Sequence, residues 1–143
     1  MTPTLYDLLK GTQKMQINRL RRVMVEGSPK YHYDVPVIAA DYAYVEFDVQ
    51  GQFPRSRKYE PLDSCLIINN DAVMIGIHFN GSGGDLYLIP AGTIRRVSRE
   101  EVGAIWHVRI VNHDTANATV AHAIDMEFWR APEDADSIAR RAL

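Results

Sequence analysis

Few residues in this chain could act as a nucleophile, a proton-transfer group or a metal ligand. Cys65 is the only cysteine, so neither an internal disulfide nor a cysteine-cluster metal site can form. It lies in the apolar run Cys65-Leu66-Ile67-Ile68, where a thiol is expected to be buried as a small hydrophobe rather than to act as a nucleophile. His78, His107, His113 and His122 are dispersed, and nothing in their spacing makes three of them converge on a metal. Glu46 with Asp48, and Asp125 with Glu127, stand two residues apart, the spacing of a carboxylate pair on one strand face and equally of a solvated face. Gly81-Ser82-Gly83-Gly84 falls between strand-like segments, without the following helix that aims backbone amides at a phosphate. No serine sits in a Gly-x-Ser-x-Gly elbow. The expectation is no enzyme, no catalytic residue, no metal and no cofactor.

The elements that would position these side chains are strands. Val73, Ile75, Ile77 and Phe79 alternate with Met74, Gly76, His78 and Asn80, a period of two with one apolar face. Ala43, Val45, Phe47 and Val49 alternate likewise with Tyr42, Tyr44, Glu46 and Asp48; outward tyrosines in such a strand serve as cross-strand pairs or interface anchors. Residues 64–68, 85–89 and 93–97 read as further strands, broken by Asn69-Asn70-Asp71, by Asn80 with the glycines after it, and by Pro90-Ala91-Gly92. In residues 105–112, Trp106 aligns with Val108 and Ile110 and is expected in the core, with His107 and Arg109 opposite. Residues 119–128 form the last strand, with His122 on its apolar side as a hydrogen-bonded core histidine. Ser98 and Glu101 are spaced as a capping box, and residues 50–62 read as a long exposed loop. Short strands with turns at intervals of about 8–12 residues predict a mainly β chain: an antiparallel β-sandwich or jelly roll with a short N-terminal helix or arm.

At 143 residues one domain is expected. Its 46% hydrophobic and 24% charged content is ordinary for a globular chain. A formal charge of −2 and a pI of about 6.2 give no global field that would draw the whole protein to nucleic acid. No apolar run of the ~18 residues needed to span a bilayer is present, and no signal peptide is read at the N-terminus.

Charge is local instead. Residues 1–30 hold Lys10, Lys14, Arg19, Arg21, Arg22 and Lys30 against Asp7 and Glu26. Two readings stand: a solvated basic face on a helix that starts at Thr2-Pro3, or an arm that docks on an acidic neighbour or on packaged nucleic acid. The second needs only phosphate contact without sequence readout. The expected division is a basic arm (1–30), a β-sandwich (31–130) and a charged tail (131–143) with a short helix near residues 134–141.

Two resemblances bear on function. Leu66-Ile67-Ile68-Asn69-Asn70, Val73-Met74-Ile75-Gly76-Ile77, Leu88-Ile89-Pro90-Ala91-Gly92-Thr93-Ile94 and the strand from Ile105 to Asn112 together resemble a pattern of small β-sandwich proteins of bacteriophage particles. That resemblance covers about half the chain, residues 64–128. Gly84 to Arg95 is similar to the second cupin motif, Gly-x5-Pro-x-Gly-x2-His, but Arg95 stands where cupins place a metal-ligating histidine, and the first cupin motif is missing. An arginine offers no lone pair to a metal, so that ligand is lost.

The phage resemblance implies a non-enzymatic virion structural protein, a capsid, decoration or connector subunit, made in the host cytoplasm and assembled by subunit contacts. Its partners would be copies of itself, other virion proteins and, through the arm, nucleic acid bound non-specifically. Tyr6, Arg19, Arg21, Arg22, Tyr31, Tyr33, Phe53 and Tyr59 are the candidate interface residues, because aromatic anchors in polar segments tend to dominate interfaces. The aromatic ones could equally cover the subunit's own core. The alternatives are a cupin-like barrel enzyme and a carbohydrate- or receptor-binding module, whose sign would be an exposed tryptophan beside carboxylates.

Overall fold

The computed structural model describes residues 25–81 and 86–133. Pro29–Arg130 form one compact unit, and Met1–Ser28 group with Ala131–Leu143 in a second. Most of the expected arm and tail, with Tyr6, Arg19, Arg21 and Arg22, lies outside the described residues.

Eight strands build the first unit: β1 (Tyr31–Asp34), β2 (Tyr44–Asp48), β3 (Ser64–Asn69), β4 (Ile75–Phe79), β5 (Leu86–Ile89), β6 (Thr93–Val97), β7 (His107–Asn112) and β8 (Ile124–Trp129). They form two four-stranded antiparallel sheets, in the orders β1-β8-β3-β6 and β2-β7-β4-β5. Only β4 and β5 pair with their chain neighbour; every other connection crosses between sheets. The pairings β1 with β8, β2 with β7, β3 with β6 and β4 with β5 are those of one long hairpin rolled into a barrel, which is the jelly-roll topology.

Alternation decides what each sheet buries. Cys65, Ile67, Met126 and Phe128 from the first sheet meet Ile75, Ile77, Val108 and Ile110 from the second, all with no exposed surface. Phe47 of β2 sets its ring 5.8 Å from that of Phe128 and 4.2 Å from that of Tyr33. Such tilted and edge-on pairs add to the burial of area. On the edge strand β6, Arg95 shares the inward parity of Ile67, lies over the Tyr87 ring and pairs with Glu101 at 3.1 Å. An inward charge on an edge strand discourages pairing with another sheet.

Two buried asparagines tie the loops at one end. Asn69, the last residue of β3, donates its amide to the carbonyls of Val73, Ile89 and Pro90 and accepts from the Asp71 N–H. Asn112, the last residue of β7, donates to the carbonyls of Ile38, Ala39 and Asn117 and accepts from the Asp114 N–H. Asp71, also buried, accepts from the Val120 N–H and so links the loop after β3 to the loop before β8.

Five sequence expectations change. Residues 50–62 are not a bare exposed loop: a helical turn α1 (Val49–Gln52) and a 3₁₀ turn (Pro54–Tyr59) run through them with Val49 and Ser56 buried, and Phe53 between the turns and Leu62 after them are buried as well. β8 begins at Ile124, because residues 119–123 turn, with the Ala123 N–H bonded to the Val120 carbonyl. His122 therefore stands at φ 62° in that turn, exposed and bonded to Asp34, rather than in the core. Ser98 does cap a helical turn α2 (Arg99–Val102), but with its carbonyl only; the Glu101 side chain goes to Arg95, so no capping box closes. Trp106 is 44% exposed, not core.

Candidate functional site

The outer face of the second sheet is the most distinctive surface. Its register sets Tyr44, Val111, Gly76 and Leu88 in one row, and Glu46, Arg109, His78 and Leu86 in the next. The ladder runs one step past the strands, through His113 N–H to the Met74 carbonyl and Tyr42 N–H to the Asn112 carbonyl. Tyr42 and Tyr44 are each about half exposed, and Met74, Leu86 and Leu88 nearly as much. Glu46 accepts two bonds from Arg109, at 2.9 and 3.1 Å, and lies 3.4 Å from His107 Nε2. The Arg109 guanidinium in turn covers the Tyr44 ring at 4.3 Å.

Gly76 has a structural reason. A Cβ there would collide with the His113 ring and come within 2.8 Å of the Leu86 Cδ1, so the missing side chain lets the imidazole lie flat on the sheet. Tyr42 meets that ring edge-on at 5.2 Å. Burial, and then the neighbouring His78, lower the His113 pKa below its ordinary value.

At the other end of this face lies an open cleft of about 410 Å³ lined by Asp48, Gln50, Gly51, Arg57 and Trp106. Its origin is a slip in phase. Ile105 and Val108 both point inward although three residues apart, so Trp106 and His107 between them both face out, as at a β-bulge. Asn80 holds the slip: its Oδ1 accepts from the Trp106 N–H at 2.7 Å, and its amide donates to the Ala104 carbonyl. The Val49 N–H bonds the Trp106 carbonyl, which seats α1 beside the indole. The clue in the sequence was Ile105 and Val108, two apolar residues out of step with strand parity.

The residues singled out from sequence fare differently. Phe53 is 7% exposed, with its ring 5.7 Å from those of both Tyr31 and Phe128. Tyr31, Tyr33 and Tyr59 are half-buried against the same core. Burial raises the pKa of both Tyr31 and Tyr33. Glu46 is engaged by Arg109, and Asp125 by His32 at 3.1 Å, so neither carboxylate pair stands free as an acid–base couple. Among the described residues no three His, Cys, Asp or Glu side chains are grouped to hold a metal. Among them, too, no helix is long and apolar enough to cross a membrane.

No protein-family model, curated protein or solved structure matches this chain, so its own topology and surfaces carry the functional argument.

Proposed function

We propose that this chain is a non-enzymatic structural subunit of a bacteriophage particle, acting through contacts with further copies of itself and with other particle proteins. The observation that carries the proposal is the outer face of the second sheet, where Tyr42, Tyr44, Met74, Leu86 and Leu88 stand in adjacent rows open to solvent. Contiguous apolar surface of this kind marks an interaction site, and aromatic residues and methionine are the types enriched at interface cores. The charges among these rows, Glu46 and Arg109, already satisfy each other. Covering them strands no lone ion, which is the usual obstacle to burying a charged strand face. The partner we assign to the face is a second copy, packed through the same rows in an isologous contact.

The test is the solution mass of the full chain by light scattering, beside that of a Tyr44→Glu, Leu88→Glu double variant. An oligomer of the wild type that falls to the 16.2 kDa chain in the variant supports the proposal. Equal masses for both proteins would refute the face as the contact. Arm deletion tests the rest: if removing residues 1–25 leaves assembly mass and salt-dependent DNA binding unchanged, the arm has no part in it.

A further inference from the structure

We infer that the cleft around Trp106 is a binding site for a pyranose saccharide. The inference does not depend on the assembly proposal. Five features converge there. The Trp106 main chain is fixed on both sides, by Asn80 at its N–H and by Val49 at its carbonyl, while its indole is 44% exposed. A rigid aromatic plane presented to solvent is a platform for the C–H face of a sugar ring, which is apolar like the indole itself.

Asp48 is the second feature. It occupies the N-cap of α1, yet makes no side-chain cap bond, so its carboxylate is left to the cleft. An aspartate at that position ordinarily spends its oxygens on the helix's free N–H groups. Arg57, on the 3₁₀ turn, has a side chain that likewise bonds no other described residue. Gln50 adds an amide, held by Glu60 at 3.1 Å. A carboxylate that accepts, a guanidinium that donates and an amide that does both match vicinal hydroxyls, each of which gives one hydrogen bond and takes others.

Gly51 is the last feature. It sits inside a helical turn, where glycine costs stability relative to alanine, and no neighbour demands it: a Cβ built there meets nothing within 4 Å. A glycine with no reason inside the chain, on the wall of a cleft, leaves room for something outside it. The volume of about 410 Å³ falls within the range usual for small-molecule sites. The charge balance argues against a nucleic acid strand, because among the described residues the cleft's one arginine is countered by one aspartate, whereas strand binding needs an excess of basic groups along its track.

The experiment is a glycan array of neutral and acidic pyranose oligosaccharides probed with the full chain, with hits titrated by tryptophan fluorescence. Trp129 is buried, with Lys30 and Arg96 over its ring, so a ligand-dependent change in an exposed indole reports Trp106. We expect saturable binding that weakens roughly tenfold or more in Trp106→Ala, the scale of losing one aromatic anchor. Asp48→Asn is expected to weaken it as well, while Trp106→Phe retains part. Gly51→Ala is the sharper probe: it leaves the melting temperature equal or higher, yet weakens the saccharide. An array without hits, a hit that binds Trp106→Ala and wild type alike, or quenching by oligo-dT in place of any glycan would each overturn the inference. So would a Trp106→Ala variant that lost oligomerisation and left glycan binding intact.

Discussion

Replacing Asn69 by alanine tests whether a single buried amide holds the loops at one end of the sandwich. The residue has no exposed surface, so water cannot take over its bonds. Its Nδ2 lies 3.0 Å from the Val73 carbonyl and 3.2 Å from those of Ile89 and Pro90, and its Oδ1 3.0 Å from the Asp71 N–H. Pro90 keeps a partner in the variant, because the Thr93 hydroxyl donates to the same carbonyl at 2.6 Å. The Ile89 carbonyl likewise keeps the N–H of its ladder partner Ile75, so the groups at risk are the Asp71 N–H and the Val73 carbonyl. At about 1–3 kcal/mol for each buried group left unsatisfied, and with partial relaxation, a loss of about 3 kcal/mol follows. With a urea m-value of about 2 kcal/mol/M, the midpoint falls by about 1.5 M, read by circular dichroism, with the slope unchanged.

Asn69→Asp sharpens the test. It preserves shape and the acceptor for Asp71, but turns both donors into lone pairs facing three carbonyl oxygens. Ionisation is disfavoured there, so the folded-state pKa of the new carboxyl rises above its unfolded value. Between the two values the folded state holds more protons than the unfolded one, so stability falls as pH rises through that window. The aspartate variant is therefore expected to be less stable than the alanine variant at pH 7 and to draw level with it toward pH 4. A wild-type midpoint for Asn69→Ala, or an aspartate variant as stable as the alanine variant at pH 7, would refute the clamp.

Two further outcomes follow from burial and charge. Cys65 has no exposed surface and its thiol pKa is raised well above the ordinary value by desolvation, so an aromatic disulfide reagent is expected to modify it only as fast as the protein unfolds; equal rates in buffer and in urea would contradict its place in the core. His113, whose pKa burial and His78 depress, is expected to titrate by NMR below the usual imidazole value, and Gly76→Ala, which dislodges the ring, to move it back up. Because the unfolded state then takes up the proton first, this residue's contribution to stability is lost as pH falls below about 6.5, and His113→Gln flattens that slope; an unchanged slope would show that the ring is not desolvated.

How much of this was legible beforehand depends on what fixed each element. The inward faces of β2 and β4 could be read directly, because strict alternation of Val45 and Phe47, or of Ile75 and Ile77, has one burial solution. The sheet order could not, since all pairs but β4 with β5 join strands distant in sequence, and local pattern holds no record of them. Where reading failed, a tertiary bond had overridden parity. Trp106 shares the phase of Val108, but Asn80, some 26 residues earlier, takes its N–H and shifts it outward. His122 shares the phase of Ile124, yet a turn and the carboxylate of Asp34 hold it in solvent. Phe53 looked like an anchor in a polar loop because its partners Tyr31 and Phe128 lie far away along the chain.

The two outer faces of the sandwich use their polar groups differently, and that difference separates the two functional proposals. On the first sheet His32 meets Asp125, His122 meets Asp34, and Arg96 lies over Trp129. On the second sheet the charges close on themselves at Glu46 and Arg109, leaving apolar rows on one side and the cleft of Asp48, Arg57 and Trp106 on the other. A contact made through Tyr44 and Leu88 and a ligand held by Trp106 thus draw on different residues of one face. Assembly should therefore survive Trp106→Ala, and saccharide binding should survive the Tyr44→Glu, Leu88→Glu pair, unless the contact between copies reaches across the Glu46–Arg109 pair into the cleft. In that case both substitutions would fail together, and the cleft would belong to the interface.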